Sequence, residues 1–524
     1  VHLRYMLEDR CEAAWQNCFI RPIVGSCSGE GEVGVSQDNE SSRNGDQVER
    51  IADIFRTGGQ PTVTYVRRDH GRFEAELESA LLEPGQICLV TGPSKTGKTT
   101  LYKQVLSNKK FIALHIYCSS EMSATDVWLR ILEKIDFERV SARKKSRKDT
   151  LTLQGEANTT FGWSWLAKSA LKVGVSKGSD ASEEEARERI LSSPGPELLI
   201  PVLQETNYIL VFEDFHYLHE AQQKLLAEQW KKFTDNDISF LVVGTTHRAV
   251  DIVRGNKDLI GRITHFKVGN WSISDLEEIV KKGFQHIDVK IKANYRSFIA
   301  AEAVGLPIVV QQVCLELFLR KGITEKSQVD RSLFNIDDAD ISAALNAVAK
   351  KRYESYENFY AVLVRGPRQR ARKYNSYELL IACFGGDPVK FQLTRGEIDD
   401  RIRASGLEQN KLPPTASIQS ALRALDKHQQ RKFGSPSTEK NRGLPGKLRI
   451  KSSPSSSHFR LLEWREKEDT LYILEPTFLF YVRWRNARPV SRPKLQEWFD
   501  IFLKTKVGNA TEEVVRVRVR NPLL

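Results

Sequence analysis

At 524 residues the chain is longer than one hydrophobic core usually organises, so its length predicts two or three domains. Hydrophobic residues at 40% and charged residues at 28% exclude a chain that is membrane-embedded or disordered throughout, and no window reaches the run of about 18 apolar residues that a spanning helix needs. A formal net charge of +12, from 79 basic and 67 acidic residues, fits a solvated surface or, where the bases cluster, contact with nucleic-acid phosphates. Seven scattered cysteines with no CxxC pair argue against a disulfide or zinc framework and fit reduced thiols in the cytoplasm. Acids break the apolar stretch near the first residue, which argues against a secretory signal.

Residues 1–50 show no clear period, and 28–48 have the Gly, Ser, Asn and acid content of a linker. The next domain is expected at 51–270. In it Phe73–Leu82 predicts an amphipathic helix stopped by Pro84-Gly85, and Ile87–Val90 a short buried strand. Phe111–Tyr117 predicts a second strand and Ala124–Ile135 a helix. Tyr208–Phe212, Phe240–Val243 and Ile263–Val268 predict three more strands. Strands alternating with helices point to an α/β fold with a parallel sheet. Residues 141–200 interrupt this order with a basic run (Arg143, Lys144, Lys145, Arg147, Lys148) and two alternating segments. They read as an inserted hairpin with flexible flanks, whose Trp163 and Trp165 form a contact surface or pack locally. Helical period returns over 271–350, with helices at Ser274–Phe284, Arg296–Val304, Pro307–Arg320 and Asp338–Tyr353. A further domain is expected at 351–490 and a tail at 491–524, where Val515–Arg520 alternates like a strand with one basic face. A sheet edge explains that alternation as well as nucleic acid does.

Gly92-Pro93-Ser94-Lys95-Thr96-Gly97-Lys98-Thr99 fits the pattern G-x-x-x-x-G-K-[ST], between an apolar strand and a helix-compatible stretch that begins at Thr100. In such a turn backbone N–H groups curl round phosphates at the positive end of the helix. Lys98 would reach the terminal phosphates of ATP, and the Thr99 hydroxyl would ligate Mg²⁺. The competing reading is a glycine turn with an incidental lysine. A buried strand then ends in Glu213-Asp214. We assign Glu213 to the magnesium sphere and Asp214 to polarising the attacking water; the two roles can be exchanged, and the plainer reading is that both acids cap the next helix. The strand after it runs into Thr245-Thr246-His247-Arg248, so Thr245, Thr246 and Arg248 are candidates to bond the lytic water or the terminal phosphate, with a solvated strand end as the alternative. Arg262 precedes the fifth strand and is either an arginine finger for a neighbouring subunit's nucleotide or a surface arginine.

This order of strand, P-loop, helix, strand, helix, acidic strand, polar-ended strand and helical segment resembles the AAA+ and STAND branch of P-loop ATPases, and more narrowly the origin-recognition-type and related prokaryotic ATPases, over roughly residues 55–325. The resemblance implies a P-loop NTPase sheet followed by a helical lid and a winged-helix domain. Pro61–Arg68 resembles the family's segment on the adenine side, which implies base contacts from Tyr65, Val66 and Arg67. Trp271-Ser272 with Asp275–Ile279 resembles the start of the lid, and Gly305-Leu306-Pro307 resembles its GxP element, which implies that Pro307 lies near the base. Glu213 stands where the family usually has Asp, which bears on the hydrolysis rate, and no second-sensor arginine stands out, which favours the STAND side. Residues 374–486 resemble the winged helix, with helices at Tyr377–Phe384, Arg395–Ala404 and Ser417–Leu425 and a wing through Phe459–Leu474. The close, Leu474-Glu475-Pro476 to Trp484, is similar to the DPxxxFYxRW run of many prokaryotic members. In a DNA-reading winged helix Arg423, Lys427, His428, Arg431 and Lys432 would meet the duplex, with Arg365, Arg368, Arg370, Arg372 and Lys373 adding phosphate contacts. In STAND proteins the same domain often only packs on the nucleotide domain and locks it.

The resemblance therefore implies an ATP-hydrolysing molecular switch whose ATP or ADP state controls self-association or a protein partner, as in the defence and signalling roles of prokaryotic relatives. Two other readings stay open. One is a replication or mobile-element ATPase that binds double-stranded DNA through the winged helix. The other is an ATP-binding scaffold with negligible turnover. No membrane partner is expected.

Overall fold

A computed structural model describes residues 48–61, 63–108, 111–134, 194–245, 256–269, 271–364, 374–408, 410, 412–433 and 461–503. The first 47 residues, most of the 141–200 insertion with its two tryptophans, the basic run of 365–373 and the alternating 515–520 segment lie outside them.

A short helix α1 (Ile51–Ile54) and α2 (Arg72–Leu82) lead into β1 (Ile87–Thr91), α3 (Lys98–Asn108), β2 (Ile112–Tyr117) and α4 (Ala124–Lys134). α5 (Ile200–Glu205), β3 (Tyr208–Glu213), α6 (Glu220–Thr234), β4 (Phe240–Gly244) and β5 (Ile263–Lys267) follow. The five strands form one parallel sheet in the order β2-β3-β4-β1-β5. β1 and β4 are buried at every position, which is why they read as unbroken apolar runs. Alternation sorts their side chains onto two faces. Ile87, Leu89, Leu210, Phe212, Phe240 and Val242 join one core with residues of α4 and α6, among them Trp128 and Trp230. Cys88, Val90, Ile209, Val211, Leu241 and Val243 join the other with residues of α2 and α3.

Beyond β5 come α7 (Ile273–His286), α8 (Ala293–Glu302), α9 (Pro307–Arg320), α10 (Asp338–Tyr353) and α11 (Tyr356–Leu363). Asp337 and Asp340 close a reciprocal capping box at the start of α10. The chain continues through α12 (Ser376–Gly385), β6 (Gln392–Thr394), α13 (Arg395–Ala404), α14 (Thr415–Phe433), β7 (Leu462–Arg465), β8 (Thr470–Ile473) and α15 (Thr477–Trp484). Its three strands form an antiparallel sheet in the order β6-β8-β7.

From α7 onward the helical and C-terminal segments share one continuous core, which runs from Leu276 and Phe318 to Leu380, Phe478 and Trp484. The boundary expected at 350/351 falls inside α10, which packs against both α9 and α15 and so divides nothing. The first residues of the 51–270 domain also belong to this core. Phe55 sits against Phe284 and Phe318 at 5.9 and 6.0 Å, and the Ile51 N–H donates to Thr324 O at 2.9 Å. At the far end residues 495–503, expected as tail, are helical and bury Trp498, Phe499 and Phe502. Period alone cannot show which element a stripe packs on. Among the described residues no helix is long and apolar enough to cross a membrane.

Candidate nucleotide site

The P-loop, the end of β3 and the end of β4 meet at the C-terminal edge of the sheet, because β4 lies between β1 and β3. That edge is where open parallel sheets place their ligands. The loop from Gly92 to Gly97 is shaped by contacts that tolerate little else. A Cβ on Gly92 would lie 2.1 Å from Val268 O, and Gly97 adopts φ +90°. Thr96 is buried and its hydroxyl donates to Pro93 O at 2.9 Å, while the Trp271 indole donates to Thr96 O at 2.9 Å. Lys98 Nζ donates to the carbonyls of Gly92 and Pro93 at 2.9 and 2.8 Å. Burial pushes its pKa down to about 8, against the opposing pull of Asp214 and Glu475. Because α3 starts at Lys98, the unpaired N–H groups of its first turn stand beside this ammonium.

Glu213 is 5% exposed and held from two sides. Its Oε1 lies 3.0 Å from His115 Nδ1, and its Oε2 accepts from the Thr99 hydroxyl at 3.5 Å. Burial raises the carboxyl's pKa, but hydrogen bonds from His115 and Tyr102 outweigh it and hold the group below the usual carboxylate range. Asp214 is exposed and takes a left-handed conformation (φ 56°). Its side chain makes no capping hydrogen bond to the turn at 215–217, so the cap reading finds no bond to rest on at Asp214. Burial and then the Glu213 charge raise its pKa, against Lys98. Behind it His216 Nδ1 accepts the Thr245 N–H at 3.3 Å, and burial pushes that imidazole down to about 4, so it is neutral and ties the end of β3 to the end of β4. Thr245 thus engages through its backbone, while Thr246 and Arg248 lie outside the described residues.

Arg262 is at the opposite edge of the sheet. Its carbonyl accepts the Ile87 N–H at 2.8 Å, and its guanidinium donates to Thr234 Oγ1 at 2.7 Å and Asp235 Oδ1 at 2.5 Å. Within one chain it does not approach the P-loop.

A cavity of about 350 Å³ opens over this edge. Ser94, Lys95, Gly97, Lys98, Thr99 and Thr100 line it with Glu213, Asp214 and Val243. Pro307, Ile308 and Gln311 of α9 close the other side, with Arg56, Thr57, Gly58, Gly59 and Pro61. Tyr65, Val66 and Arg67, expected on the base side, are not among its lining residues. The Tyr65 hydroxyl donates to Glu74 at 2.7 Å, its carbonyl accepts from Lys282 Nζ at 2.8 Å, and Val66 is buried in the core with α7. Since Phe55 anchors on α7 and α9, the chain meets the cavity some residues earlier, at the glycines after Thr57. That Gly58-Gly59 pair was the available signal.

The C-terminal segment also reaches the P-loop. Lys95 Nζ lies 5.7 Å from the Tyr353 ring, Tyr353 stacks on Tyr356 at 6.0 Å, and the Tyr356 hydroxyl meets Thr477 Oγ1 at 2.8 Å. Two residues before Thr477, burial pushes the Glu475 carboxyl up, while Lys95 and Lys98 pull it back. His115, Tyr102, His216 and Gln311 carry no motif, and only packing reveals them; Glu475 belongs to the run read at 474–484, but its place beside the P-loop lysines comes from packing alone. The donor set suits a hard cation beside a phosphate chain, because hydroxyl and carboxylate oxygens stand next to a lysine and free helix N–H groups.

Residues 82–252 match the AAA domain family. Among curated proteins, none matches the chain at a significant level. Solved structures similar in fold include the Walker-type ATPase PABY2304 of Pyrococcus abyssi, at 16% identity and TM-score 0.40, covering 80% of this chain and 100% of that one. The Aeropyrum pernix Orc1 protein in complex with DNA is similar at 14% identity and TM-score 0.33, covering 70% of this chain and 85% of that one. The Drosophila ORC bound to DNA is similar at 12% identity and TM-score 0.34, covering 87% of this chain and 95% of that one. At these values no residue role transfers. The family match spans β1 to β4, and with the P-loop on a central strand of a β2-β3-β4-β1-β5 parallel sheet, residues 82–252 are an AAA domain.

Proposed function

We propose that the chain is an ATP-driven molecular switch in which the AAA domain and the lid with the C-terminal segment close on one nucleotide. The observation that carries this is the cavity, walled on one side by the P-loop and the two acids and on the other by α9 and residues 56–61. A triphosphate on the loop amides and Lys98 would put its base against the lid side, so the ligand would bridge two bodies whose cores are separate. A nucleotide shifts such an equilibrium only by its differential affinity for the two arrangements. The γ-phosphate supplies that difference between ATP and ADP.

Thr99 and Glu213 would hold Mg²⁺, which would neutralise charge on the phosphate oxygens. Glu213 is kept ionised by its His115 and Tyr102 bonds, a state suited to a metal-side ligand. Asp214 is free of a cap, faces solvent and has a raised pKa, which suits a group that accepts a proton from water. Lys98 would exchange its bonds to Gly92 and Pro93 for phosphate oxygens. Assembly state and protein partners are the proposed output.

The order helix, strand, helix, helix, strand, strand from α12 to β8 supports reading the C-terminal segment as a winged helix. Arg423 on its third helix donates to Glu466 at 2.8 Å, so one of the bases expected to meet DNA has an acid of this chain as its partner. This favours a packing role over duplex reading.

Equilibrium binding of a labelled ATP analogue, with and without Mg²⁺, tests the proposal. The native chain should bind and Lys98→Ala should lose about 100-fold or more in affinity. Undiminished binding by Lys98→Ala rejects the site. Tight, salt-sensitive binding to duplex DNA would instead favour the DNA-reading alternative.

A further inference from the structure

The phosphate loop is held from behind by a residue that belongs to the other body. Trp271 stands two residues before α7, and its ring packs against the core that runs from α7 to α15. Its backbone N–H donates to Gly305 O at 3.3 Å, in the turn that leads into α9. The buried Arg68 guanidinium lies 5.0 Å from the Trp271 ring and 4.5 Å from the Phe73 ring on α2, so the indole is stacked in place. From there the indole N–H donates to Thr96 O at 2.9 Å, the one donor to that carbonyl among the described residues. Its Cζ2 stands 3.6 Å from where a Cβ on Gly97 would lie.

The Thr96–Gly97 peptide is trans, so its carbonyl and its N–H point in opposite directions. Gly97 lines the cavity and Trp271 does not. Turning the Thr96 carbonyl out to the indole therefore turns the Gly97 N–H inward, where it meets no acceptor among the described residues. A glycine at φ +90° leaves this peptide able to turn over. Turned over, it would set a carbonyl oxygen against a phosphate in place of a donor. We propose that Trp271 is a positioning residue for the phosphate chain, its indole holding the Thr96–Gly97 peptide with the Gly97 N–H toward the cavity. Because Trp271 is placed by the body from α7 onward, the loop grips phosphate fully only while that body is seated on it. The inference rests on the reading that phosphates lie on the P-loop, and it adds what holds the loop in the binding shape.

Competition of ATP and of inorganic tripolyphosphate against a labelled ATP analogue, on the full chain with Mg²⁺, tests this. Tripolyphosphate presents the phosphate chain without sugar or base. Trp271→Phe keeps a ring and removes the donor, and it should weaken both competitors by the same factor, about three- to tenfold. Replacing the Trp271 indole with benzothiophene, through the corresponding amino acid, removes the N–H at nearly constant shape. It should give the same loss, and it serves if Trp271→Phe does not fold. Native affinity for both competitors in the benzothiophene chain overturns the inference, even if its unfolding midpoint falls, because the bond would then only stabilise the fold. A loss confined to ATP also overturns it, since the indole would then act on the sugar or base end. If the native chain binds neither competitor, or Lys98→Ala binds as the native chain does, the reading of the cavity itself fails and the inference falls with it.

Discussion

The AAA domain and the body built from α7 to α15 both bury charge, and they treat it in opposite ways. In the AAA domain, among the described residues, Lys98 donates to two loop carbonyls alone, and burial drags its pKa down to about 8. In the other body Glu302, the last residue of α8, has both carboxylate oxygens engaged by α15 and the chain just after it. Arg483 donates at 2.7 and 3.1 Å, the Trp484 indole at 2.8 Å, and Arg488 completes the set. Burial raises the Glu302 carboxyl, but the Arg483 and Arg488 charges outweigh it and hold it well below the ordinary range. The first charge is exchangeable and suits a ligand site. The second is closed and joins two segments into one rigid unit. A buried charge marks function when its partners are weak main-chain dipoles, and architecture when they are full counter-charges.

The largest expected effect breaks the closed side. Glu302→Gln removes the charge that Arg483 and Arg488 share, leaving Arg483 its 3.3 Å pair with Asp387, and should cost about 3–5 kcal/mol of stability in denaturant unfolding. A loss below about 1 kcal/mol would show the cluster to be hydrated and the contrast false. Next, Asp214→Asn should slow ATP hydrolysis by about 10²–10³-fold while leaving affinity for the ATP analogue within about threefold. An equal loss in both would move Asp214 from the chemistry to binding.

The pH response sharpens the open side. The Lys98 pKa is lowered in the folded, empty chain, so between about 8 and its ordinary 10.5 the unfolded chain carries the extra proton. Stability of the empty protein from this group should therefore rise with pH in that window. Affinity for ATP, which needs the charged ammonium, should fall about tenfold for each unit above 8. An affinity flat from pH 7 to 10 would contradict it. Glu475→Gln removes a negative charge that the P-loop lysines feel, and should tighten ATP by about two- to fivefold in the same assay. At the bottom of the scale, Arg423→Ala breaks an exposed pair with Glu466 and should change stability by less than about 1 kcal/mol. A larger loss would mean the third helix and the strand hairpin depend on that pair.

Much of this fold was legible. The apolar runs of β1, β3 and β4 lack alternation because both faces of the sheet are covered, and that pattern names a buried parallel strand without any tertiary information. The P-loop pattern after one of them, and two acids after another, follow from local chemistry. Less was legible about the body from α7 onward. Phe73–Leu82 reads as a helix, and it is one, but nothing in its period says that the chain before it, from Ile51 to Phe55, packs on residues more than 200 positions away. That contact brings residues 56–61, rather than Tyr65–Arg67, to the cavity wall.

Strand, helix, phosphate loop and acidic strand end were determined by the sequence alone, because each depends on neighbours within a few residues: φ/ψ freedom at a glycine, side-chain period, a lysine beside a helix start. Which side chains face one another across the cavity was decided only by the tertiary structure. Trp271, His115, Glu302 and Glu475 owe their roles to partners brought from 98 to 181 positions away or from across a domain face. Distance along the chain carries no trace of such pairings, since the energy that forms them comes from burial of the cores around them.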